Sequence, residues 1–310
     1  MDLSILIVSY RNPELTRACL ESVYAQVRDC SFEVVVVDNA SPDGTPDMIA
    51  AAFPDVRLIR SERNLGFARA NNVAAEAARG EYLLLLNPDT IVLEGAVDGL
   101  FRFAREQPPG LYGGRTLRPD GELDPSSCWG AQTLWSTICF ATGLSTAFRR
   151  NPILDPESMG RWDRDSVRDV GTVTGCLLMV PRPAWQRLGG FDERFFMYGE
   201  DADLAVRARA AGLPVRITPD ATIIHVVGAS SPTSGGKAGM VLKSRATMMH
   251  QHWSAPARAA GLACLLAGVA LRAAGGRLLG RGRDDGWRAA WVNRKDWARG
   301  YPAAAGAAPA

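Results

Sequence analysis

Several familiar devices are missing from this 310-residue sequence, and each absence closes off a class of function. The six cysteines (Cys19, Cys30, Cys128, Cys139, Cys176 and Cys264) include no C-x-x-C pair, which removes the common zinc and dithiol motifs. Cys19 and Cys176 lie in apolar surroundings and read as small core residues, reduced thiols of a cytosolic protein. Charge of one sign is lacking too: 35 Lys/Arg against 33 Asp/Glu leave +2, no global reason to meet nucleic acid. The longest uncharged apolar run, 259–271, falls short of the roughly 20 residues that span a bilayer. Met1-Asp2-Leu3 opens directly into a strand-like run, so no secretory leader is expected. There is no internal repeat. The turn after the first apolar run, Ser9-Tyr10-Arg11-Asn12-Pro13, has no glycine, so phosphates cannot be cradled there in the dinucleotide-binding manner.

What is present is an ordinary globular composition, 47% hydrophobic and 22% charged, arranged as alternating strand and helix patterns. Leu3–Val8, Glu33–Val37, Val56–Ile59 and Leu83–Leu86 are apolar runs of the kind buried on both faces of a parallel sheet. Asn12-Pro13 and Thr45-Pro46 read as caps with proline in the first helical turn, and Phe67–Arg79 as a helix ended by Gly80. Alternation of this kind implies right-handed crossovers and an α/β fold with a mostly parallel central sheet, helices on both faces. Beyond 95 the pattern changes. A helix over 95–107 precedes a hairpin signal at Arg118-Pro119-Asp120-Gly121, and 124–170 carries no readable pattern. Val173–Val180 reads as a strand, 181–190 as a short helix, 191–201 as a loop and Asp201–Ala211 as a helix closed by Gly212. Val215–Thr218 and Thr222–Val227 read as strands, Gly228–Gly239 as a mobile glycine-serine loop, and the chain from 241 as helical.

Two stretches stand out chemically. In Leu83–Thr90 a leucine strand runs into Asn87-Pro88-Asp89, and Pro88 forces the chain out of the sheet. Asp89 then sits beyond the carboxyl end of a buried strand, where open α/β sheets bind ligands and a carboxylate suits a hard divalent cation. A plain surface turn explains the same residues equally well. In Gly189–Leu204 the apolar group Phe195, Phe196, Met197 and Tyr198 precedes the acids Glu200, Asp201 and Asp203. Helix-dipole pairing and an Asp203–Arg207 contact account for one or two of these acids, and a general base is the alternative. Asp38 ends the second strand beside Tyr10 and suits a nucleoside. Asn64 and Gly66 join a strand to a helix in which Asn71 and Asn72 need partners, a neighbouring group or a ligand. His225, in an apolar strand, is either a satisfied core residue or a second ligand of a metal held by Asp89.

Eight motifs in order, ILIVSY (5–10), VVVDNAS (35–41), NLGF (64–67), LNPDT (86–90), Thr174-Gly175, GGFD (189–192), EDADL (200–204) and His225, resemble the inverting family 2 glycosyltransferases of GT-A fold, especially the bacterial rhamnosyltransferase-like branch. The resemblance covers about residues 3–250. It implies a domain over 1–253, with a nucleotide-binding half (1–94) and an acceptor-binding half (95–253), followed by a basic helical extension (254–310). It implies a nucleotide-sugar donor on Ser9, Tyr10, Asp38, Asn64, Gly66, Asn71 and Asn87. A divalent metal, Mg²⁺ or Mn²⁺, would sit on Asp89 and His225, with Asn87 in place of the first acid of the Asp-x-Asp motif. Asp201 would be the base, and Thr174, Gly175, Tyr198 and Glu200 would meet the acceptor. Rhamnose from dTDP-rhamnose, moved onto a glycan or polyprenyl-linked hydroxyl in cell-surface polysaccharide synthesis, is the reading the resemblance favours. The glycine-serine loop would close over the donor and bring Lys237, Lys243 or Arg245 to the diphosphate. The rival readings are a nucleotide-dependent oxidoreductase, which lacks its glycine fingerprint, and a non-catalytic nucleotide-sugar-binding module, which needs no acid cluster.

The extension carries nine Lys/Arg against three Asp/Glu, a net of +6, so with +2 overall residues 1–253 carry −4. Its apolar run is followed by Arg272, Arg277, Arg281 and Arg283, with Trp287, Trp291 and Trp297 interleaved. That composition fits a segment lying on an anionic cytoplasmic membrane surface, or else a helical extension packed on the body or on a second subunit.

Overall fold

The computed structural model describes residues 1–226, 234–278 and 286–302. By contacts the chain divides into two units. The first comprises residues 1–129, 163–192 and 201–230, and the second 130–162, 193–200 and 231–310.

The first unit contains every described strand. These are β1 (Leu3–Ser9), β2 (Phe32–Asp38), β3 (Arg57–Arg60), β4 (Tyr82–Leu86), β5 (Thr90–Val92), β6 (Leu111–Leu117), β7 (Leu123–Asp124) and β8 (Cys128–Trp129), followed by β9 (Arg168–Asp169), β10 (Thr172–Val173), β11 (Leu177–Pro181) and β12 (Val215–His225). The main sheet runs β3-β2-β1-β4-β11-β6-β12-β5, with β7 on β6 and β9 on β12, while β8 and β10 form a separate pair. As the apolar runs imply, β1 to β4 are mutually parallel. Direction reverses at β11, antiparallel to both β4 and β6. Ile5, Ile7, Val34, Val36, Leu84 and Leu86 enter one core with Leu20 and Val23 of the helix Pro13–Gln26 and Leu100 of the helix Ala96–Glu106. The Arg118–Gly121 hairpin forms as expected, Gly121 N–H bonding Arg118 O at 2.9 Å.

Several local expectations change. Asn12 precedes its helix without a side-chain capping bond, and Gly44, not Thr45, caps the next one. The expected strand 173–180 breaks in two at 174–176, because Gly175 turns closely over the Phe67 ring, leaving no room for a side chain. The two strands expected over 215–227 are one, β12, bulged between Ile217 and Thr222. Gly80 does not end the helix Phe67–Ala77; Ala78 does, in extended conformation. Gly80 instead lies against the backbone of β1, its N–H bonding Ser4 Oγ at 2.8 Å.

The second unit is helical. It includes Leu134–Thr142 and Leu144–Ala147 from the unreadable stretch, then Ser234–His252, Ala255–Leu278, Gly286–Val292 and Arg294–Trp297. Residues 234–239 are therefore the first turns of a helix, not a loop; 227–233 lie outside the described residues. Leu242, Met249, Leu265, Val269, Ala290 and Trp297 form its core, with Phe140, Trp287 and Trp291 packed against it. The helix Ala255–Leu278 also corrects the length estimate. It continues through Arg258 and Arg272, so Ala255–Gly276, 22 residues, is long and apolar enough to cross a bilayer by length and composition. Arg281 and Arg283 lie outside the described residues.

A β-carbon at position 80 would run into Ser4 N and lie 2.6 Å from the Leu3 carbonyl carbon, both backbone atoms of a buried strand. Gly80→Ala should therefore cost at least about 2 kcal/mol, the middle of the overpacking range, read as a shifted urea midpoint at unchanged slope.

Candidate active site

Because β1, β2 and β4 are parallel and in register, their last residues finish along one edge of the sheet. Ser9 pairs with Asp38 across β1 and β2, and its hydroxyl lies 3.4 Å from Asp38 Oδ1. Both are buried, and Asp38 Oδ2 accepts the Ser41 N–H at 3.0 Å. The loops just beyond hold three non-glycine residues in the left-handed region: Arg11 (φ 65°), Asn12 (φ 66°) and Ala40 (φ 63°). Their backbone is held by donation from Arg11 N–H to Ser41 Oγ (2.8 Å) and from Asn12 N–H to Asp43 Oδ2 (2.9 Å). Strain fastened in this way is characteristic of ligand-binding loops. Tyr10 lies here, with the Arg11 guanidinium 5.1 Å over its ring.

Asn39, overlooked in the sequence, organises the next strand–helix turn. Its amide donates to Asn64 Oδ1 (3.0 Å) and Gly66 O (3.2 Å), and its Oδ1 accepts the Leu65 N–H (2.7 Å). Gly66 takes φ +80°, a conformation that favours glycine. Asn64 and Gly66 thus shape the pocket edge through Asn39, and Gly66 itself precedes the helix as its cap. Asn71 and Asn72 find neighbours. Asn71 is buried and donates to Phe67 O at 3.0 Å, so its expected contact with the nucleotide gives way to a bond within its own helix. Asn72 bonds both the N–H and the C=O of Phe191, at 2.9 Å each, fixing the glycine-glycine-phenylalanine turn.

At the end of β4 the chain turns through Asn87-Pro88-Asp89, held by Thr90 Oγ1 donating to Asn87 O at 2.7 Å. β12 returns beside β5, pairing His225 with Thr90 and donating Val226 N–H to Asp89 O at 2.9 Å. His225 Nε2 thereby comes to 3.3 Å from Asp89 Oδ1 and 3.4 Å from Asn87 Nδ2. Asp89 and His225, far apart in sequence, meet as expected.

Their geometry fits a Mg²⁺- or Mn²⁺-sized ion. Two adjacent ligands at about 2.1 Å in octahedral geometry stand about 3 Å apart, close to the separation observed. Asn87 Oδ1 is buried without a hydrogen-bond partner on the same turn. Among the described residues no three His, Cys, Asp or Glu side chains converge on one point. Two protein ligands leave most of the shell to phosphate and water, the usual condition of such ions beside a diphosphate.

Asp201 lies in the first turn of the helix Glu200–Ala210, half-buried between the buried Glu200 and Asp203. Burial raises its carboxyl above the ordinary value, against backbone N–H groups of Ala202 (2.8 Å), Gly175 and Asp201 itself, which pull it down. Burial likewise pushes the Cys176 thiol up to about 12, and the charges of Asp124, Asp201 and Asp89 add to that rise. Asp203 has a different task. It pairs with Arg207 at 2.7 Å, and Arg207 also holds Leu188 O and Gly190 O, so it is a brace. Thr174 bonds Ser127 O through both N–H and hydroxyl, at 3.1 Å each.

In the second unit Glu200 is buried, Tyr198 is left-handed (φ 69°) and its carbonyl accepts from Ser244 Oγ. Phe195 packs against Tyr301, and Lys237 stands 5.4 Å over the Tyr198 ring. Lys243 and Arg245, expected at a diphosphate, are committed elsewhere. Lys243 pairs with Asp296 at 3.0 Å, and Arg245 makes a two-pronged pair with Glu157 at 2.6 and 2.7 Å.

Comparison with known proteins agrees with this geometry. Residues 4–156 match the family model Glycosyl transferase family 2, and 154–302 match Glycosyl transferase family group 2. The chain is 33% identical over 238 residues to an N-acetylglucosaminyl-diphospho-decaprenol L-rhamnosyltransferase of Mycobacterium tuberculosis, covering 72% of this chain and 75% of that one. It is 31% identical over 230 residues, 73% of this chain and 17% of the relative, to an O-antigen biosynthesis protein of Myxococcus xanthus. Among solved structures, a mannosyltransferase from Pyrobaculum calidifontis in complex with GDP-Man and Mn²⁺ superposes with a TM-score of 0.59 at 18% identity, over 95% of this chain and 87% of that one. GalNAc-T7 with UDP, GalNAc and Mn²⁺ also gives 0.59, at 14% identity, over 82% of this chain and 48% of that one.

The raised carboxyl of Asp201 makes a prediction about stability. A group whose folded pKa lies above its unfolded one favours the fold below the unfolded value, and that contribution is lost as pH rises through the folded value. At neutral pH the desolvated Asp201 anion therefore costs stability. Asp201→Asn, which keeps the shape, should melt above wild type at pH 7, and the advantage should vanish below about pH 4, where an ordinary aspartate is itself protonated. Parallel thermal scans across pH provide the measurement.

Proposed function

This chain belongs to glycosyltransferase family 2 and has its GT-A fold, and on that footing we propose that it moves rhamnose from dTDP-rhamnose to a hydroxyl of a polyprenyl-diphosphate-linked glycan, with inversion at the anomeric carbon. It is an enzyme of glycan synthesis; the donor, acceptor and stereochemistry are the proposal. The observation that carries it is Asp201, a carboxyl raised by desolvation beside Gly175, in the turn that leads into β11 next to β4.

Ser9, Tyr10 and Asp38, at the ends of β1 and β2, take the nucleoside, and Asn64 and Gly66 complete that edge through their bonds to Asn39. Asp89 and His225 would hold a divalent cation, which supplies positive charge to the donor diphosphate. Asn87 supports that turn. Thr174 and Gly175, beside Asp201, face the acceptor. Asp201 removes the proton from the acceptor hydroxyl as its oxygen bonds the anomeric carbon. The bond from that carbon to the diphosphate oxygen breaks on the opposite face, and the nucleoside diphosphate leaves with the electron pair. A carboxyl raised by burial is a better proton acceptor than a solvated one, which suits this role.

Turnover should appear with dTDP-rhamnose among a panel of nucleotide sugars. Asp201→Asn should cost roughly 10²–10⁴-fold in rate with donor affinity nearly unchanged. A variant keeping more than about a tenth of the rate would move the base to Glu200, since Asp203 is occupied by Arg207.

A lipid-linked acceptor would be met at the cytoplasmic leaflet, and the second unit supplies a surface for it. Only about a third of the apolar window in Ala255–Leu278 is buried. Its outward positions, Ala259, Ala260, Ala263, Ala267, Leu271 and Ala274, include no charge. Phe148 and Leu271 are exposed beside Arg149 and Arg272 in sequence. Each basic residue near an anionic surface contributes about 1 kcal/mol. Full-length protein should sediment with anionic liposomes and weaken steeply with salt, while Leu271→Glu with Phe148→Glu should not sediment. Equal partitioning of the two proteins would leave the surface to a second subunit.

A further inference from the structure

Asp124 was not distinguished in the sequence and has no part in the reaction as described. It ends β7, two residues long, where it pairs with Thr116 of β6, and Thr116 Oγ1 bonds its carbonyl at 2.9 Å. Thr116 in turn pairs with Ile223 of β12. His225 follows Ile223 by two residues and so shares its face of the strand. The topology thus puts Asp124 and His225 on one face of the sheet, two strands apart.

Their side chains meet there. Asp124 is 5% exposed and His225 Nδ1 is buried. Asp124 Oδ2 stands 3.9 Å from His225 Nδ1, which has no hydrogen-bond partner. The carboxylate cannot swing away. Oδ1 accepts the Ser126 N–H at 3.0 Å and Oδ2 the Ser126 hydroxyl at 2.6 Å, at the start of the turn Pro125–Ser127. On the other side of the ring Nε2 faces Asp89 Oδ1 and the Asn87 amide. A cation bound beside Asp89 would take the Nε2 lone pair, which leaves the imidazole proton on Nδ1, toward Asp124.

We propose that Asp124 is a positioning residue: it accepts the Nδ1 proton of His225, fixes that tautomer and leaves the Nε2 lone pair for a cation beside Asp89. A histidine that ligates a cation through one nitrogen needs its other nitrogen held by such an acceptor, and loss of the acceptor costs about 10–100-fold in metal affinity. The inference rests on the proposed Asp89–His225 cation site.

In ¹⁵N-labelled protein holding Mg²⁺ and dTDP, His225 should show a protonated Nδ1, with Nε2 bearing no proton. Asp124→Asn keeps the Ser126 contacts available and should lose this preference. Its Kd for Mn²⁺ in the presence of dTDP should rise about 10–100-fold. In a His225→Asn background the same change should leave Mn²⁺ affinity within twofold. A wild-type spectrum with the proton on Nε2 overturns the proposal, and it can be read even if the variant fails to fold. An unchanged tautomer together with an unchanged Kd in Asp124→Asn overturns it as well. If Asp89→Asn leaves Mn²⁺ binding unaltered, the cation site fails and the proposal falls with it.

Discussion

The strand β1 is hydrogen-bonded on both sides by parallel neighbours, β2 and β4, and the rest of the site depends on that arrangement. Parallel pairing in register means that three carboxyl ends finish together, so Ser9, Asp38 and the Asn87–Asp89 turn must share an edge. It also leaves those strands buried on both faces, which is why they read as uninterrupted Val, Ile and Leu. The reversal at β11 then matters as much as the parallel core. An antiparallel strand beyond β4 brings Thr174–Cys176 back to the edge where β4 ends, and Cys176 O accepts the Asn87 N–H there at 3.2 Å.

That edge concentrates charge in a dry place. Burying a carboxylate is costly, and here Asp89 and Asp124 are buried and Asp201 is desolvated. Each is managed differently. Asp201 is given backbone N–H groups, Asp124 is fastened by Ser126, and Asp89 faces a histidine. Asp203, one turn from none of these tasks, is neutralised by Arg207. Four neighbouring acids thus acquire four roles from their partners alone. A group left with raised affinity for protons in such company is what a transferase needs and what stability would remove.

How much of this was legible follows from the range of the interactions. Alternation of strand and helix, the turn at Pro88 and the i,i+4 pair Asp203–Arg207 are local, and the sequence carries them openly. The meeting of Asp89 and His225 is long-range; the residues alone offered it as one of two readings, and the resemblance to a family favoured it. Residues 130–162 were unreadable because their apolar side chains pack on helices more than a hundred residues later; Arg272, for example, reaches Phe140 O at 2.7 Å. The partners of Lys243 and Arg245 were out of sight for the same reason: Asp296 and Glu157 lie 53 and 88 residues away. Asp124 was hidden in a two-residue strand behind a hairpin, and Asn39 behind its more conspicuous neighbour Asp38.

The tryptophan- and arginine-rich extension shows why composition alone cannot separate packing from surface attachment. Trp297 is buried, and its indole N–H bonds Ala290 O at 2.7 Å. Arg272 stacks 4.0 Å over Phe140 and 5.4 Å from Trp287, and Arg294 lies 4.5 Å over Trp291. These cation–π pairs, each worth about 0.5–2 kcal/mol, turn what looks like an interfacial signature into the cement of a helical unit. Once the tryptophans are accounted for, the feature that still needs a neighbour is the one least visible in composition: an outward helix face of alanine and Leu271 with no charge along it. Water gives such a face nothing, since an exposed helix surface ordinarily carries charged or polar side chains. The argument for a surface partner therefore rests on what the extension leaves outside its own core, and not on the tryptophans that first suggested one.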